Sequence, residues 1–170
     1  MSIIMKKVAV VTRGSKGIGL AIVEKFIAND YQVYNLDLVA SEIGIFKQCD
    51  MSDMAQVSQA ITCVIEECGQ IDALICNAGI HYSANIEATS EADFDKVFAV
   101  NVKGAYAAIQ RTLGIMKQQQ SGAIVIVASD QAIIGKTNSF AYNLSKHALA
   151  SMAKTTALDY AKYNIRANAL

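Results

Sequence analysis

The sequence predicts an open, doubly wound α/β domain, a parallel sheet with helices on both faces. Strand-length apolar runs alternate with helical patterns from one end of the chain to the other. A glycine-rich segment lies between the first strand and the first helix. No internal repeat, charge block or linker interrupts the alternation. Strands that alternate with helices require right-handed crossovers, and these build a parallel sheet covered on both sides. With 170 residues and a prior of roughly 150 residues per domain, residues 1–170 are read as one domain.

The elements follow in order. The β-branched run Val8–Thr12 is the first strand, and Ile18, Ile22, Val23, Phe26 and Ile27 then recur at helical spacing. Gln32–Asp37 is the second strand and Ile45–Asp50 the third. Met54, Val57, Ile61, Val64 and Ile65 mark one face of the next helix, ahead of a strand over Ile71–Cys76. Ser90 and Asp93 have the spacing of a capping box, and they open a single long helix towards Gln118. Ala123–Ala128 is the fifth strand, followed by a loop and a helix from about Ala141 to Lys162. The final run, Ile165–Leu170, reads as a buried strand. A domain seldom stops at the tip of a central strand, so a further C-terminal segment is expected.

Composition narrows the function. A hydrophobic fraction of 53% with 18% charged residues excludes a disordered chain. Fifteen basic residues balance fifteen acidic ones, which argues against nucleic acid as the main partner. No run reaches the roughly 18 uninterrupted apolar residues of a membrane span, and Met1–Lys7 lacks the pattern of a secretory leader. The expectation is a soluble cytoplasmic protein. Cys49, Cys63, Cys68 and Cys76 form no C-x-x-C pair, and only His81 and His147 are available beside them. Free buried thiols are expected, and no metal site.

In doubly wound sheets ligands bind beyond the carboxyl ends of the strands, where strand order reverses. The first strand ends in Thr12-Arg13-Gly14-Ser15-Lys16-Gly17-Ile18-Gly19 and runs directly into a helix. Glycines let the backbone approach a phosphate, and the helix N-terminus offers free N–H groups. The plain alternative is an ordinary glycine-rich turn, but three glycines in six residues between a strand and a helix favour phosphate. Asp37 ends the second strand, where a carboxylate would accept hydrogen bonds from an adenosine ribose. Asp50 ends the third strand, Asn77-Ala78-Gly79 the fourth and Ser129 the fifth. Tyr142 and Lys146 stand four apart on a helix and share a face. A positive charge beside a phenol favours phenolate, and moving a tyrosine pKa from about 10 to about 7 takes roughly 4 kcal/mol.

Taken as a set, these motifs resemble the short-chain dehydrogenase/reductase family, with its Rossmann-like fold. Thr12, Gly17 and Gly19 match the family's T-G-x-x-x-G-x-G loop, and Cys76-Asn77-Ala78-Gly79 its N-N-A-G element. Asp50-Met51-Ser52-Asp53 matches D-x-x-D, with the first carboxylate near adenine. Tyr142-Asn143-Leu144-Ser145-Lys146 matches Y-x-x-x-K, and Ser129 lies 13 positions before Tyr142, at the family's spacing.

The resemblance implies an NAD-dependent oxidoreductase interconverting a secondary alcohol and a ketone, with NADP as the alternative cofactor. It assigns proton transfer to Tyr142, a hydrogen bond to the substrate oxygen to Ser129, and support of Tyr142 and of the nicotinamide ribose to Lys146. Asn101 falls on the catalytic asparagine, positioning a water between Lys146 and solvent. The nucleotide would lie on Thr12 to Gly19, Asp37, Asp50, Met51 and Asn77 to Gly79. Dimers or tetramers are implied too, in keeping with a helix around Ala99–Leu113 that is apolar or small on most faces.

Three departures stand out. Arg13 replaces the loop's first glycine, where a side chain clashes or forces an unfavourable backbone angle. Cys76 replaces the first asparagine of N-N-A-G. The family's proline-glycine element, substrate-covering segment and last strand have no counterpart up to Leu170. The first and third motivate a rival reading, a catalytically impaired nucleotide-binding or interaction protein. Lys16 precedes Gly17, where a basic residue can help bind NADP in this family, but helix N-termini also carry lysines incidentally, and no NADP role is assigned to it. His81, just after the N-A-G element, has the position to line a substrate mouth but is read as a solvated loop histidine, and His147 is read as an interface or surface residue.

Overall fold

Six strands and five α-helices form among residues 6–170, the part of the chain that the computed structural model describes. They are β1 (Val8–Thr12), α1 (Gly17–Ile27), β2 (Gln32–Asp37), β3 (Ile45–Gln48), α2 (Met54–Cys68), β4 (Ala73–Cys76), α3 (Glu91–Phe98), α4 (Gly104–Gln119), β5 (Gly122–Ile126), α5 (Phe140–Tyr160) and β6 (Ile165–Ala169). All pairings are parallel, in the order β3-β2-β1-β4-β5-β6. The order reverses between β1 and β4, as a doubly wound sheet requires.

The pleat sends alternate residues to opposite layers. Val8, Val10, Tyr34, Leu36, Leu74, Ile124 and Ile126 face α2, α4 and α5 in the larger core. Ala9, Val11, Val33, Ala73 and Ile75 face the other way and pack with Val23 of α1. α1 is the only described helix in that second core, so the two faces are unequally covered. β1 and β4 read as nearly continuous apolar runs, while β2 is almost wholly buried yet carries Asn35 and Asp37.

The boundaries shift where side chains capture backbone groups. β4 starts at Ala73 rather than Ile71, because the Gln119 amide takes both the Ile71 N–H and its C=O, each at 2.9 Å. β3 ends at Gln48, and Asp50 turns into a local loop, accepting the Ser52 N–H at 2.8 Å. The single helix expected from Ser90 to Gln118 is broken into α3 and α4 by a π-helical turn over Ala99–Lys103. Within residues 6–170, β6 pairs with β5 alone. Ile165 and Ala167 are buried and Arg166 and Asn168 exposed, so only one face of it is covered.

Candidate active site

The carboxyl ends of β1, β4 and β5 open into one cleft of about 990 Å³. Its floor starts at Thr12, which is fully buried. The Thr12 hydroxyl accepts the N–H groups of Asn77 and Ala78, both at 3.0 Å, and so fastens β1 to the loop after β4. The Asn77 amide returns the tie, donating to Thr12 O at 3.1 Å and Arg13 O at 3.0 Å. Gly19 sits under this knot. A Cβ there would lie 2.1 Å from Arg13 O and 2.6 Å from Asn77 Nδ2, distances no side chain tolerates. Gly17 has φ +56°, the left-handed region that suits glycine. α1 begins at Gly17 without a side-chain cap from Lys16, so its first N–H groups point to the cleft unclaimed by a cap.

Asp37 closes β2 beside this loop and is 8% exposed. Its carboxylate accepts the Ser15 N–H at 3.0 Å and the Val39 N–H at 3.2 Å. Gly14 N–H donates to Asn35 Oδ1 at 2.9 Å, fixing the loop on β2. Each Asp37 oxygen accepts one of these bonds and retains acceptor capacity for a ribose hydroxyl.

Arg13 adopts φ +54°, a conformation that costs a residue with a Cβ about 1–2 kcal/mol. The angle expected of the replaced glycine is thus kept. Its exposed guanidinium reaches across the cleft and donates to Gly79 O.

At the other end stand the four residues expected to carry the chemistry. Lys146 on α5 is 3% exposed, and its ammonium donates to Val127 O at 2.9 Å. Burial pushes its pKa down to about 8. Its Nζ lies 5.4 Å from the Tyr142 ring centroid. Ser129 opens a short 3₁₀ turn, donating to Asp130 Oδ1 at 2.8 Å and accepting the Gln131 N–H at 3.2 Å. Asn101 is fully buried in the π-helical turn. It accepts the Ile80 N–H at 2.7 Å and donates to Ile80 O and to Ser145 Oγ, each at 3.0 Å. Both groups lie next to Gly79, where an added Cβ would meet Lys146 Nζ at 3.4 Å and Asn101 Oδ1 at 3.6 Å, ordinary contact distances.

Of the residues singled out from sequence, Arg13, Lys16, Gly17, Ile18, Gly19, Asn77, Gly79, Ser129, Tyr142 and Lys146 line the cleft. Thr12, Gly14, Met51, Ala78 and Asn101 are buried beneath or beside it and act by holding backbone or filling core. Ser15 and Asp37 join the loop to β2. Asp50 Oδ1 accepts from the Ser52 N–H and hydroxyl, leaving Oδ2 without a partner among the described residues, and Asp53 caps α2 by accepting the Ala55 N–H at 2.9 Å. The solvated-loop reading of His81 gives way to its alternative, since His81 lines the cleft with its ring 4.6 Å from that of Tyr142. Its place two residues beyond the strand-end Gly79 was the available signal. All four cysteines are free, and burial raises Cys49 to about 11 and Cys76 to about 12. Neither of these two thiols is a ready nucleophile.

A crowded glycine turn, an uncapped helix N-terminus, a carboxylate at the tip of β2 and a buried lysine near a tyrosine suit a dinucleotide. Together the fold and site define a dinucleotide-binding oxidoreductase domain. The short chain dehydrogenase family model matches residues 7–170. Among curated relatives, 2-(R)-hydroxypropyl-CoM dehydrogenase of Xanthobacter autotrophicus is 36% identical, over 98% of this chain and 73% of its own. Levodione reductase of Leifsonia aquatica is 32% identical, over 96% of this chain and 67% of its own. The solved aldohexose dehydrogenase of Thermoplasma acidophilum superposes with a TM-score of 0.91 at 35% identity, covering 96% of this chain and 65% of that one. ElxO with NADP bound superposes at 0.92 with 31% identity, covering 97% of this chain and 72% of its own. The chain belongs to the short-chain dehydrogenase family of NAD(P)-dependent oxidoreductases acting on CH–OH groups.

Proposed function

We propose that the protein interconverts a secondary alcohol and a ketone, with NAD as its preferred cofactor. The observation that carries this reading is the meeting of Tyr142, Ser129 and Lys146 in the cleft that the glycine loop also lines. When bound, the dinucleotide supplies the acceptor or donor of the hydride. Gly17 to Gly19 and the start of α1 would receive its phosphates, and Lys146 the nicotinamide ribose. Tyr142 takes the proton from the substrate hydroxyl during oxidation and returns it during reduction. Ser129 donates to the same oxygen once its hydroxyl turns from Asp130. Lys146 brings a positive charge to the phenol, and Asn101 holds the Ile80 backbone that borders this corner.

NAD preference follows from Asp37. A 2′-phosphate about 4 Å from its carboxylate would cost on the order of 4 kcal/mol per unit pair at an effective dielectric of 20. The positive charges of Lys16 and Arg13 oppose this effect. The reading includes a small-molecule alcohol as substrate, a cytoplasmic protein and a homodimer or homotetramer. It needs no nucleic acid or membrane partner. No helix among the described residues is long and apolar enough to cross a membrane.

The test is nicotinamide reduction over a panel of secondary alcohols with each cofactor, alongside Tyr142→Phe. Turnover should favour NAD, and Tyr142→Phe should abolish it with little change in NAD affinity, as expected of a group acting in the transition state. Tighter NADP binding would overturn the cofactor choice. Near-normal turnover by Tyr142→Phe would mean another residue moves the proton.

The second reading, a nucleotide-binding protein with impaired turnover, is favoured by Arg13 alone. Its guanidinium on Gly79 O lies across the cleft a dinucleotide would enter. On that reading Arg13→Gly removes both the obstruction and the unfavourable φ, and tightens NAD binding. Equal affinities by calorimetry would remove this support.

A further inference from the structure

The segment after β4 crosses the start of α5, the helix that carries Tyr142, and it is held at both ends. Asn101 grips both backbone groups of Ile80. Four residues on, Ala84 O accepts the Phe140 N–H at 3.0 Å. Between these ties, His81 Nε2 lies 2.9 Å from Ser139 Oγ, and Ser83 Oγ lies 3.4 Å from the other ring nitrogen.

Ser139 occupies the N-cap of α5 and is 1% exposed. A serine there ordinarily accepts an N–H of the first turn, a bond worth about 1 kcal/mol to the helix. Ser139 makes no such cap, and its hydroxyl meets His81 instead. The imidazole in turn rests against the Tyr142 ring, with centroids 4.6 Å apart and planes at 62°. Such edge-on contacts are favoured by the quadrupole of the ring. Among the described residues the Tyr142 phenol has no hydrogen-bond partner, so packing alone sets its direction.

We propose that His81 is a positioning residue for Tyr142, anchored by Ser139, and that the pair holds the phenol in the orientation the reaction uses. An imidazole supplies both parts of this arrangement, a flat edge for the phenol and a nitrogen for the serine. Phenylalanine keeps only the edge, and glutamine only the bond. The consequence for turnover rests on Tyr142 being the proton carrier; the placement of its ring does not.

The experiment follows the Tyr142 ring by NMR in protein carrying ring-labelled tyrosine, its signal assigned by loss in Tyr142→Phe. In the unmodified protein this signal should be single, displaced by the imidazole, and cross-relaxing with the His81 ring. Ser139→Ala should broaden it or shift it towards the position of a freely turning tyrosine, with the other tyrosine signals and the circular dichroism unchanged. Ser139→Thr should restore it. His81→Phe and His81→Gln should each give an intermediate displacement, and they serve if His81→Ala does not fold. With an alcohol found to be a substrate, Ser139→Ala should lower kcat by about tenfold to a hundredfold, in line with a misplaced reacting group, and leave the KM for NAD within about twofold. An unmoved Tyr142 signal in Ser139→Ala overturns the proposal, since a shift in His81→Gln alone reports only the loss of the neighbouring ring. A moved signal alongside an active Tyr142→Phe would sustain the positioning and sink the assigned proton carrier instead.

Discussion

Burying Lys146 sets its charge against its surroundings, and the sign of the effect is open to measurement. Its pKa falls from an ordinary 10.5 to about 8 through burial, so the unfolded chain holds the proton more tightly than the folded one. Stability therefore rises between about pH 8 and about pH 10.5 as this handicap is lifted, and below pH 8 the full handicap applies. It amounts to roughly 3 kcal/mol. Lys146→Met removes it, while leaving Val127 O without its donor at a cost of about 1 kcal/mol. The variant should be more stable than the parent by about 1–2 kcal/mol at pH 7, and inactive. Thermal unfolding at pH 7 and pH 10 checks both parts, because the gain should fade at the higher pH. Equal or lower stability at pH 7 would mean that Lys146 is well solvated when folded. At this scale much was legible in the sequence. Tyr142 and Lys146 share a helix face by spacing alone, and Asp37 falls at a strand tip. The partners were not legible, because Val127 O, Ser139 and Ile80 reach the site through tertiary packing across 19, 58 and 21 residues.

Among the elements, the π-helical turn between α3 and α4 shows how one residue reshapes a helix. Apolar spacing and a capping serine predict a continuous helix, and Ser90 does cap α3, accepting the Asp93 N–H at 3.1 Å. The interruption left no mark on the periodicity. Its evident role is to hold Asn101, whose amide meets both Ile80 backbone groups and Ser145; single-turn π insertions of this kind recur at functional sites. Asn101→Ala would leave the Ile80 N–H and C=O unpaired in a part-buried corner. A loss of about 2–4 kcal/mol is expected, seen as a melting temperature lower by roughly 5–12 °C for a domain of this size. A fall smaller than about 2 °C would show that Ile80 finds other partners, and that the break in the helix is not stabilised by this amide. The existence of the strands and their parallel, doubly wound arrangement were legible from the alternation of patterns. The starts and ends were not, since Gln119 shortens β4 from a distance of 48 residues.

For the whole molecule, α4 divides into two faces that its run of small and apolar residues does not reveal. Ala105, Ala108, Ile109 and Leu113 are buried within the chain itself. The outer face carries Tyr106, 46% exposed and receiving the Gln110 amide on its hydroxyl, together with Arg111. α4 is thus amphipathic, with its inner side buried in the core and Tyr106 exposed on its outer side. Nearby on the same side of the sheet, α5 presents Leu144 and Leu158, the latter 79% exposed. Scattered exposed apolar residues are normal on a protein surface. Large ones on two helices of one layer are what a self-complementary interface would use, since a two-fold axis pairs a patch with itself. A stable interface buries about 1,200–2,000 Å² in total, and two long helices from each copy offer that area. The expected outcome is a dimer or tetramer by sedimentation at micromolar concentration. Tyr106→Glu places a carboxylate on the outer face of α4 without entering the core, so it should shift the population towards monomer with the fold intact. Leu158→Glu tests α5 separately. If the unmodified protein sediments as a monomer, the outer faces of α4 and α5 are ordinary solvent-facing surface; if only one variant dissociates it, that helix alone forms the contact.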